Sequence, residues 1–202
     1  MRINNQAFEL PPPRIAGNVT LEDALRFRRS VREYSNQPLK LVELSQLLWA
    51  AQGITDRRGF RTAPSAGALY PLELHVAAGN VDGLVQGVYW YDSVRHSLLS
   101  TVQGDVRGDL MAASLWQSWI GRGAAVIVIA AVYERTTMKY GQRGTRYVHI
   151  EVGHAAQNIF LQAVSLNLGT VTVGAFDDYK VAEILNMPMD ERPLMLMPVG
   201  RT

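Results

Sequence analysis

Cysteine is absent from this 202-residue sequence, and only four histidines are present. The missing thiols exclude disulfides, thiolate metal sites, iron–sulfur clusters and a cysteine nucleophile. No HExxH-type zinc pattern occurs, and His149 and His154 are five positions apart, so they do not share a helix face. A metal site is therefore a poor interpretation of this sequence.

Long hydrophobic runs are also missing. The longest apolar stretch, Ala124 to Tyr133, is far shorter than a membrane span and is typical of a buried strand. The N-terminal segment lacks the continuous apolar core of a signal peptide. The net charge of +2 is too small to indicate a nucleic-acid surface. These features predict a cytoplasmic protein that binds neither membranes nor nucleic acids.

The common nucleotide and hydrolase signatures do not occur. The nearest candidate for a dinucleotide fingerprint, GRGAAV at 121–126, has Val126 in place of the third glycine and precedes its strand. Neither a Walker A motif nor a G-x-S-x-G nucleophile elbow is present. Any NAD(P)H must therefore bind without a Rossmann domain.

The order of predicted elements indicates an α+β fold in one domain, residues 20–202, after an extended Pro-rich lead-in at 1–19. Thr20 and Asp23 resemble a capping box for a helix that runs to about Arg29. A second helix ends near Gly53. The remaining predictions are strands at 72–78, 87–92, 97–100 (a short edge), 124–133 (central), 170–174 and 194–199, and helices at 105–120, 151–168 and 179–186.

The helix predicted over 151–168 has the clearest pattern. Apolar and small residues recur at helical spacing, and Gly169 is its predicted C-terminal cap. The small residues of this stripe permit close approach of another helix. The stripe consists of Val152, Ala155, Ala156, Ile159, Phe160, Ala163 and Val164.

An arginine cluster, Arg26, Arg28, Arg29 and Arg32, lies within seven positions around Ser30. Guanidinium groups and a hydroxyl are suitable donors for a phosphate. A helix C-terminus opposes an anion through its dipole, so side chains would have to bind it. Taken by itself, the cluster favours a solvated basic face, because basic runs of this kind are common; a phosphate site and a module that binds anions or nucleic acids directly are the alternatives.

Two loops of small residues are the other candidates. The small residues of TAPSAGALYP at 62–71 would let a bound molecule approach the backbone closely, as a flat ring lying against the main chain requires. LNLGTVTVGAFDD at 166–178 could direct backbone N–H groups at a developing negative charge. Each is also compatible with an ordinary connecting segment.

Together these motifs closely resemble the nitroreductase-like family of FMN-dependent oxidoreductases. The nearest branch resembles the SagB-type dehydrogenases, which include enzymes that oxidise thiazolines and oxazolines to aromatic azoles. The resemblance extends from about Thr20 to Arg201. It depends on the order of RRSVR, TAPSAGALYPLEL, MKYGQRGTRYVHIEVGHAAQN, LGTVTVGAFDD and PVGR.

The resemblance implies a nitroreductase-like fold, a mostly antiparallel central sheet flanked by helices, in a homodimer. It implies FMN at the subunit interface and the long small-residue helix at the dimer core. The FMN phosphate and ribityl chain would be held by Arg28, Ser30 and Arg32 with Arg29 beside them, and Arg201 would add a phosphate contact. The loop with Pro64, Ser65, Ala66 and Gly67 would reach the flavin from the partner subunit, and Gly174 and Ala175 would face flavin N5 and O4.

Two features, one residue and one residue pair, refine the resemblance. Ala68 stands where many nitroreductases carry a polar amide. Lys139 and Tyr140 match a Lys-Tyr pair to which proton transfer is assigned in the azoline dehydrogenase branch. A lysine beside a tyrosine can act as a base or an acid, and Arg135, Arg143 and Arg146 lie near this pair in the sequence. An exposed basic loop is the alternative interpretation of this pair.

The leading hypothesis is an FMN oxidoreductase that passes a hydride through flavin N5 in a ping-pong mechanism, with NAD(P)H reducing the flavin and a small organic molecule as second substrate. The first alternative is azoline oxidation on a modified peptide with peptide-cyclising partner proteins. An accessory protein that binds flavin or another cofactor without turnover is the alternative from another class.

Overall fold

An antiparallel sheet of seven strands forms the centre of the fold in the computed structural model, which describes residues 7–202. The strands are β1 (Ala7–Glu9), β2 (Leu39–Lys40), β3 (Leu72–Ala78), β4 (Val81–Asp82), β5 (Gly87–Asp92), β6 (Ser97–Gln103), β7 (Ala125–Ala131), β8 (Leu168–Thr170) and β9 (Arg192–Arg201). The order in the large sheet is β1-β6-β5-β3-β7-β9-β8, and β2 pairs with β4 separately in parallel. The predicted lead-in at 1–19 begins outside the described residues.

Seven helices flank the sheet within the described residues. They are α1 (Leu21–Phe27), α2 (Leu41–Gln52), α3 (Arg107–Ala113), α4 (Ser118–Arg122), α5 (Glu134–Tyr140), α6 (Arg143–Ser165) and α7 (Asp178–Ile184). One apolar cluster joins α2 and α6 to the sheet, and a second joins α3, α4 and α7 to it. The α+β fold with an antiparallel sheet between helices is therefore confirmed.

The central position of β7 follows from its sequence. Its seven residues, AVIVIAA, are all buried, because β3 and β9 flank it and helices cover both faces. The central strand is confirmed. The alternation of polar and apolar residues in LELHVAA predicts that β3 is half-buried, and this prediction is wrong, since all seven of its residues are buried as well. The short edge expected at 97–100 is also wrong, because β6 is longer and β1 pairs outside it.

Helix α6 begins at Arg143, eight residues before the predicted start. Its stripe of small residues packs against α2 of the same chain, where Leu44, Leu47 and Leu48 are fully buried. A partner subunit would therefore meet another face of α6. Gly169 is not the predicted cap, because the helix ends at Ser165, Asn167 takes the left-handed conformation (φ 56°), and Gly169 lies in β8.

The predicted helix at 105–120 is two helices. Leu115 and Trp116 both adopt left-handed backbone, with φ of 55° and 57°, which cannot continue an α-helix. The break separates α3 from α4. The strand expected at 170–174 is likewise interrupted, since β8 ends at Thr170 and Val173 forms an isolated bridge to Leu196.

Neither a membrane-spanning helix nor a metal-binding cluster is found in the part of the chain that the structure describes. Among residues 7–202, none of the helices combines the length and the apolar character that crossing a bilayer requires. Over the same range, no cluster of three or more histidine, aspartate or glutamate side chains could hold a metal ion.

Candidate functional site

Arg26 lies in the last turn of α1, and Arg28, Arg29 and Arg32 follow on an extended segment that pairs with β8. Thr20 caps α1 by accepting a hydrogen bond from the Asp23 N–H at 3.1 Å, and the helix ends at Arg28 with φ −54° and ψ 124°. The Val31 N–H then donates to the Thr170 carbonyl at 2.9 Å. In extended backbone alternate side chains emerge on the same side, so Arg28, Ser30 and Arg32 are expected to share one side of the segment.

The arginine side chains of this segment differ in the contacts they make within the protein. The Arg29 side chain donates to the carbonyls of Arg26 and Arg28, at 2.9 and 2.7 Å. The guanidinium of Arg28 stacks over Phe160 at 5.1 Å, and that of Arg32 lies over Trp119 at 5.4 Å.

Within residues 7–202, the side-chain donors of Arg28, Ser30 and Arg32 have no hydrogen-bond acceptor. The donors of these three side chains are therefore unoccupied in the described chain, whereas the Arg29 side chain donates to backbone carbonyls.

Arg201 is held at the end of β9. Its Nη2 donates to both carboxylate oxygens of Glu43, at 2.7 and 2.8 Å. Its carbonyl accepts the Ser35 N–H at 2.9 Å. At the preceding Gly200, a Cβ would approach the Tyr34 ring to 2.9 Å. Arg201 thus closes the same region as the arginine segment, with its charge already matched by Glu43, and its predicted phosphate contact stays a prediction.

The Gly174–Ala175 turn is exposed, and hydrogen bonds connect it and Asp177 to the region where α3 ends and α4 begins. The Ala175 carbonyl accepts the Gln117 side-chain amide at 3.0 Å, and the Asp177 N–H donates to Ala113 at 2.9 Å. Both turn residues are exposed, and a Cβ at Gly174 would meet nothing within 4 Å. In the described chain their N–H groups have no acceptor. The turn therefore presents free backbone donors, as a flavin edge requires.

The loop with Pro64, Ser65, Ala66 and Gly67 forms a tight turn. The Ser65 Oγ accepts the Tyr70 N–H at 2.9 Å, and the Ser65 carbonyl accepts the Ala68 N–H at 3.0 Å. Gly67, Ala68 and Tyr70 all have left-handed backbone, with φ of 64°, 53° and 46°. Two of these three carry side chains, so the conformation is strained and must be held by its surroundings. We call residues 65–70 the Ser65 turn.

Lys139 and Tyr140 lie against this turn in the same chain. A Cβ at Gly67 would lie 2.8 Å from the Tyr140 hydroxyl and 3.0 Å from the Lys139 Nζ. The pair ends helix α5, so the alternative of a basic loop is wrong in its secondary structure, although Lys139 is exposed. Tyr140 meets Tyr147 edge to face, with ring centroids 5.1 Å apart. Two motifs separated by about 70 positions in sequence thus form one cluster.

Sequence reasoning missed Glu151 and Arg61. Glu151 is 2% exposed on α6, and its burial raises the pKa of the carboxyl group to about 7, although Ser65 and Arg61 act in the opposite direction. Burial also lowers the pKa of Arg61, whose Nη1 donates to the Gln52 side chain at 2.8 Å. The signal was present in the sequence, since Glu151 lies one turn before Ala155 on the buried stripe.

The predicted site residues form two groups within the chain. Arg28, Ser30 and Arg32 belong to one, and the Ser65 turn with Lys139 and Tyr140 to the other. Among the described residues, neither a hydrogen bond nor an ion pair joins these two groups.

Comparisons with known proteins identify the family and the fold of this chain. The profile of the Nitroreductase family matches residues 25–201. The Methanocaldococcus jannaschii protein MJ1384, which carries the provisional name nitroreductase, is 55% identical over 183 residues, 91% of each chain. A Ralstonia eutropha JMP134 crystal structure with the same provisional name has a TM-score of 0.85 and 31% identity, and the match covers 97% of this chain and 89% of that one. The microcin B17-processing protein McbC of Escherichia coli is 28% identical over 148 residues, which are 69% of this chain and 54% of McbC.

Proposed function

This chain belongs to the nitroreductase family, and from that premise we propose that it is an FMN-dependent oxidoreductase of small organic molecules with NAD(P)H as reductant. Bound FMN would supply two-electron chemistry, taking up a hydride at N5 from one substrate and passing it to the next in a ping-pong sequence. The protein's own residues would bind the cofactor, exclude water and stabilise charge.

The observation that carries the proposal is the set of free donors between Arg28 and Arg32. Arg28, Ser30 and Arg32 have no acceptor within the described part of the chain, although two of them are charged. A phosphate monoester takes charge-assisted hydrogen bonds from such groups, each contributing about 1.5–3 kcal/mol. The fit favours a phosphorylated flavin over an uncharged one.

The Gly174–Ala175 turn would perform the electrostatic part of catalysis. Its two N–H groups have no acceptor in the described chain, and both residues are exposed. Fixed backbone dipoles need no reorganisation when negative charge develops, so they stabilise a reduced, anionic ring at little cost.

A homodimer would bring the two groups of site residues together. Helix α1 leaves Leu21, Leu25 and Phe27 exposed by 61%, 53% and 57%, and such patches are typical of interfaces. In the proposed dimer the arginine segment of one subunit and the Ser65 turn of its partner would enclose each FMN.

Flavin uptake tests the proposal directly. The purified chain should bind FMN with one cofactor per chain and bind riboflavin, which lacks the phosphate, at least about 100-fold more weakly. Anaerobic NADH or NADPH should then bleach the flavin. Equal affinity for FMN and riboflavin would remove the phosphate assignment, and a chain that binds neither flavin would overturn the function. Flavin that is bound but never reduced would indicate an accessory protein without turnover.

Azoline oxidation on a modified peptide is the second candidate. The contact of Gly67 with Lys139 and Tyr140 favours it, because a Lys-Tyr pair beside the proposed flavin loop could take a proton while the hydride leaves. The similarity to McbC supports the same branch. Oxidation of an azoline peptide with peptide-cyclising partner proteins present, and no bleaching by NAD(P)H, would favour this candidate over the first.

A further inference from the structure

Two paired strands bring the Ser65 turn and helix α5 to the same end of the sheet. The turn leads into β3, α5 follows β7, and Leu72 pairs with Ala131 where the two strands reach that end. The Val132 N–H donates to the Pro71 carbonyl at 2.9 Å, which extends the pairing by one residue. Beyond this point the sheet no longer fixes the distance between the turn and the helix, so other contacts must do so.

Arg135 joins the Ser65 turn to α5. It lies in the first turn of the helix, and its Nη1 donates to the Tyr70 carbonyl at 3.1 Å. Among the described residues this is the single hydrogen bond between the Ser65 turn and α5. Lys139 lies four positions after Arg135, so both side chains are on one face of the helix. That face meets the turn at two points, since the Lys139 Nζ lies beside Gly67.

Glu73 orients the Arg135 side chain from the sheet. The Arg135 Nη2 donates to Glu73 Oε1 at 2.5 Å, and the Trp90 indole N–H donates to Glu73 Oε2 at 2.7 Å. Glu73 is 9% exposed, and a carboxylate buried to this extent is costly unless it is paired. The planar fork of the arginine thus reaches this carboxylate with one nitrogen and the Tyr70 carbonyl with the other.

The backbone of the Ser65 turn needs such support. Ala68 and Tyr70 have left-handed backbone, with φ of 53° and 46°, which residues with side chains adopt at a cost. Such a conformation persists only where the surrounding structure over-determines it. The Arg61 N–H donates to the Tyr70 hydroxyl at 3.2 Å, and the Arg61 guanidinium lies 4.7 Å from the centre of the tyrosine ring. These contacts hold the Tyr70 side chain, whereas Arg135 holds the backbone carbonyl.

We propose that Arg135 is a positioning residue, oriented by Glu73, that holds the Ser65 turn against the Lys139–Tyr140 pair. In the described chain the pair itself has no hydrogen bond to the turn, so the Arg135 bond fixes the distance between them. The inference deepens the proposed function, because it names the residue that prepares the proposed proton-transfer pair. Only the turnover part of its test depends on that function.

Amide hydrogen exchange on the flavin-free chain tests the positioning role without any cofactor. Arg135→Ala should speed exchange of the Ala68 and Tyr70 amides about tenfold, the equivalent of one hydrogen bond. Arg135→Lys keeps the charge but replaces the planar fork with a single ammonium group, so it should recover less than about half of the lost protection. Full recovery with lysine would show that charge alone matters and would overturn the two-partner bridge. Unchanged exchange in Arg135→Ala would overturn the proposal as a whole.

Arg107 offers a matched control at the other end of β3. Its guanidinium also donates to one carboxylate, that of Asp105, and to one backbone carbonyl, that of Gly123. A Cβ at Gly79, which follows β3, would collide with this side chain, so it lies at the end of the strand away from the Ser65 turn. Arg107→Ala should therefore leave exchange in that turn within about twofold of the natural chain. An equal rise in both alanine variants would show general destabilisation and would overturn the positioning role.

A double variant separates positioning from the cost of an unpaired buried charge. Arg135→Ala leaves the Glu73 carboxylate without its cation, which lowers the stability of the whole chain. Glu73→Gln removes that charge, so the Arg135→Ala/Glu73→Gln variant should unfold at a higher temperature than Arg135→Ala alone. Exchange of the Ala68 and Tyr70 amides should stay about tenfold faster than in the natural chain, because the bond to the Tyr70 carbonyl is still missing. Recovery of both stability and protection would overturn the proposal.

Turnover shows whether Arg135 acts through the proton-transfer pair. With a preformed azoline peptide as the probe, Arg135→Ala should lower kcat of the FMN-loaded chain about tenfold and change KM less than about twofold. The Arg135→Ala/Lys139→Ala double variant should be no slower than Lys139→Ala, since both residues act at one step. Additive losses would overturn the action through the pair. A chain that binds no flavin, or leaves the probe unoxidised, would count against the proposed chemistry and not against the positioning role, which the exchange result decides.

Discussion

Gly67 lies in contact with Tyr140, so that a Cβ at position 67 would stand 2.8 Å from the tyrosine hydroxyl. The residue also has φ of 64°, a conformation that side chains rarely adopt. The backbone therefore favours glycine here, and an added Cβ would also have to displace the ends of the Tyr140 and Lys139 side chains. This contact joins a loop of small residues to a Lys-Tyr pair about 70 positions later in the chain.

Gly67→Ala should destabilise the chain by about 1–3 kcal/mol and displace Tyr140, because backbone strain and a steric clash combine. The matched control is Gly59→Ala, where φ is 84° but a Cβ would meet nothing within 4 Å. Thermal unfolding should show a smaller loss for the control, and tyrosine fluorescence should change only in the Gly67 variant. Equal losses in the two variants would show that the contact with Tyr140 contributes nothing.

Arg28→Ala with Arg32→Ala should weaken FMN binding at least about 100-fold while the fold is kept, because two charged phosphate donors are lost. Arg26→Ala with Arg29→Ala removes the same charge from residues that the proposal leaves outside the phosphate site. Fluorescence titration of both double variants gives the comparison. If both lose FMN equally, only net charge matters and the assignment is wrong.

Lys139→Ala should keep FMN bound and slow turnover by about 10²–10⁴-fold if the lysine takes part in proton transfer. Lys180→Ala, on an exposed turn of α7, removes the same charge at a distance from the Ser65 turn. Steady-state rates with the accepted substrate provide the measurement. Unchanged turnover in the Lys139 variant would show that the Lys139–Tyr140 pair has no part in proton transfer and is only the exposed end of helix α5.

The stability of the natural chain should decrease relative to Glu151→Gln as the pH rises. Burial raises the pKa of Glu151 from 4.5 to about 7 in the folded chain, so the folded state binds the proton more tightly than the unfolded state. Its contribution to stability is complete below about pH 4.5 and is lost as the pH rises through about 7. The loss is at most about 3 kcal/mol. Urea unfolding at pH 4.5, 6 and 8 should show the difference, and parallel curves for both chains would contradict the raised pKa.

Much of the fold could be predicted because its signals are local. The unbroken apolar run in β7 indicates a strand covered on both faces, and the stripe that starts at Val152 indicates a helix with one buried side. The two errors around Gly169 and Leu115 have a common cause. Asn167, Leu115 and Trp116 adopt left-handed backbone without being glycine, a conformation that asparagine takes readily at a helix end and that leucine and tryptophan take against their local preference.

The sequence alone determined the family resemblance and the candidate residues, because their types and order do not depend on how the chain folds. Only the tertiary structure decided which of these side chains lack a hydrogen-bond acceptor within the described protein. Arg29 and Arg201 donate to acceptors of the protein, while Arg28 and Arg32 do not. The amino-acid sequence does not distinguish these four guanidinium groups. The burial of Glu151, which raises the pKa of its carboxyl group to about 7, likewise depends on long-range packing.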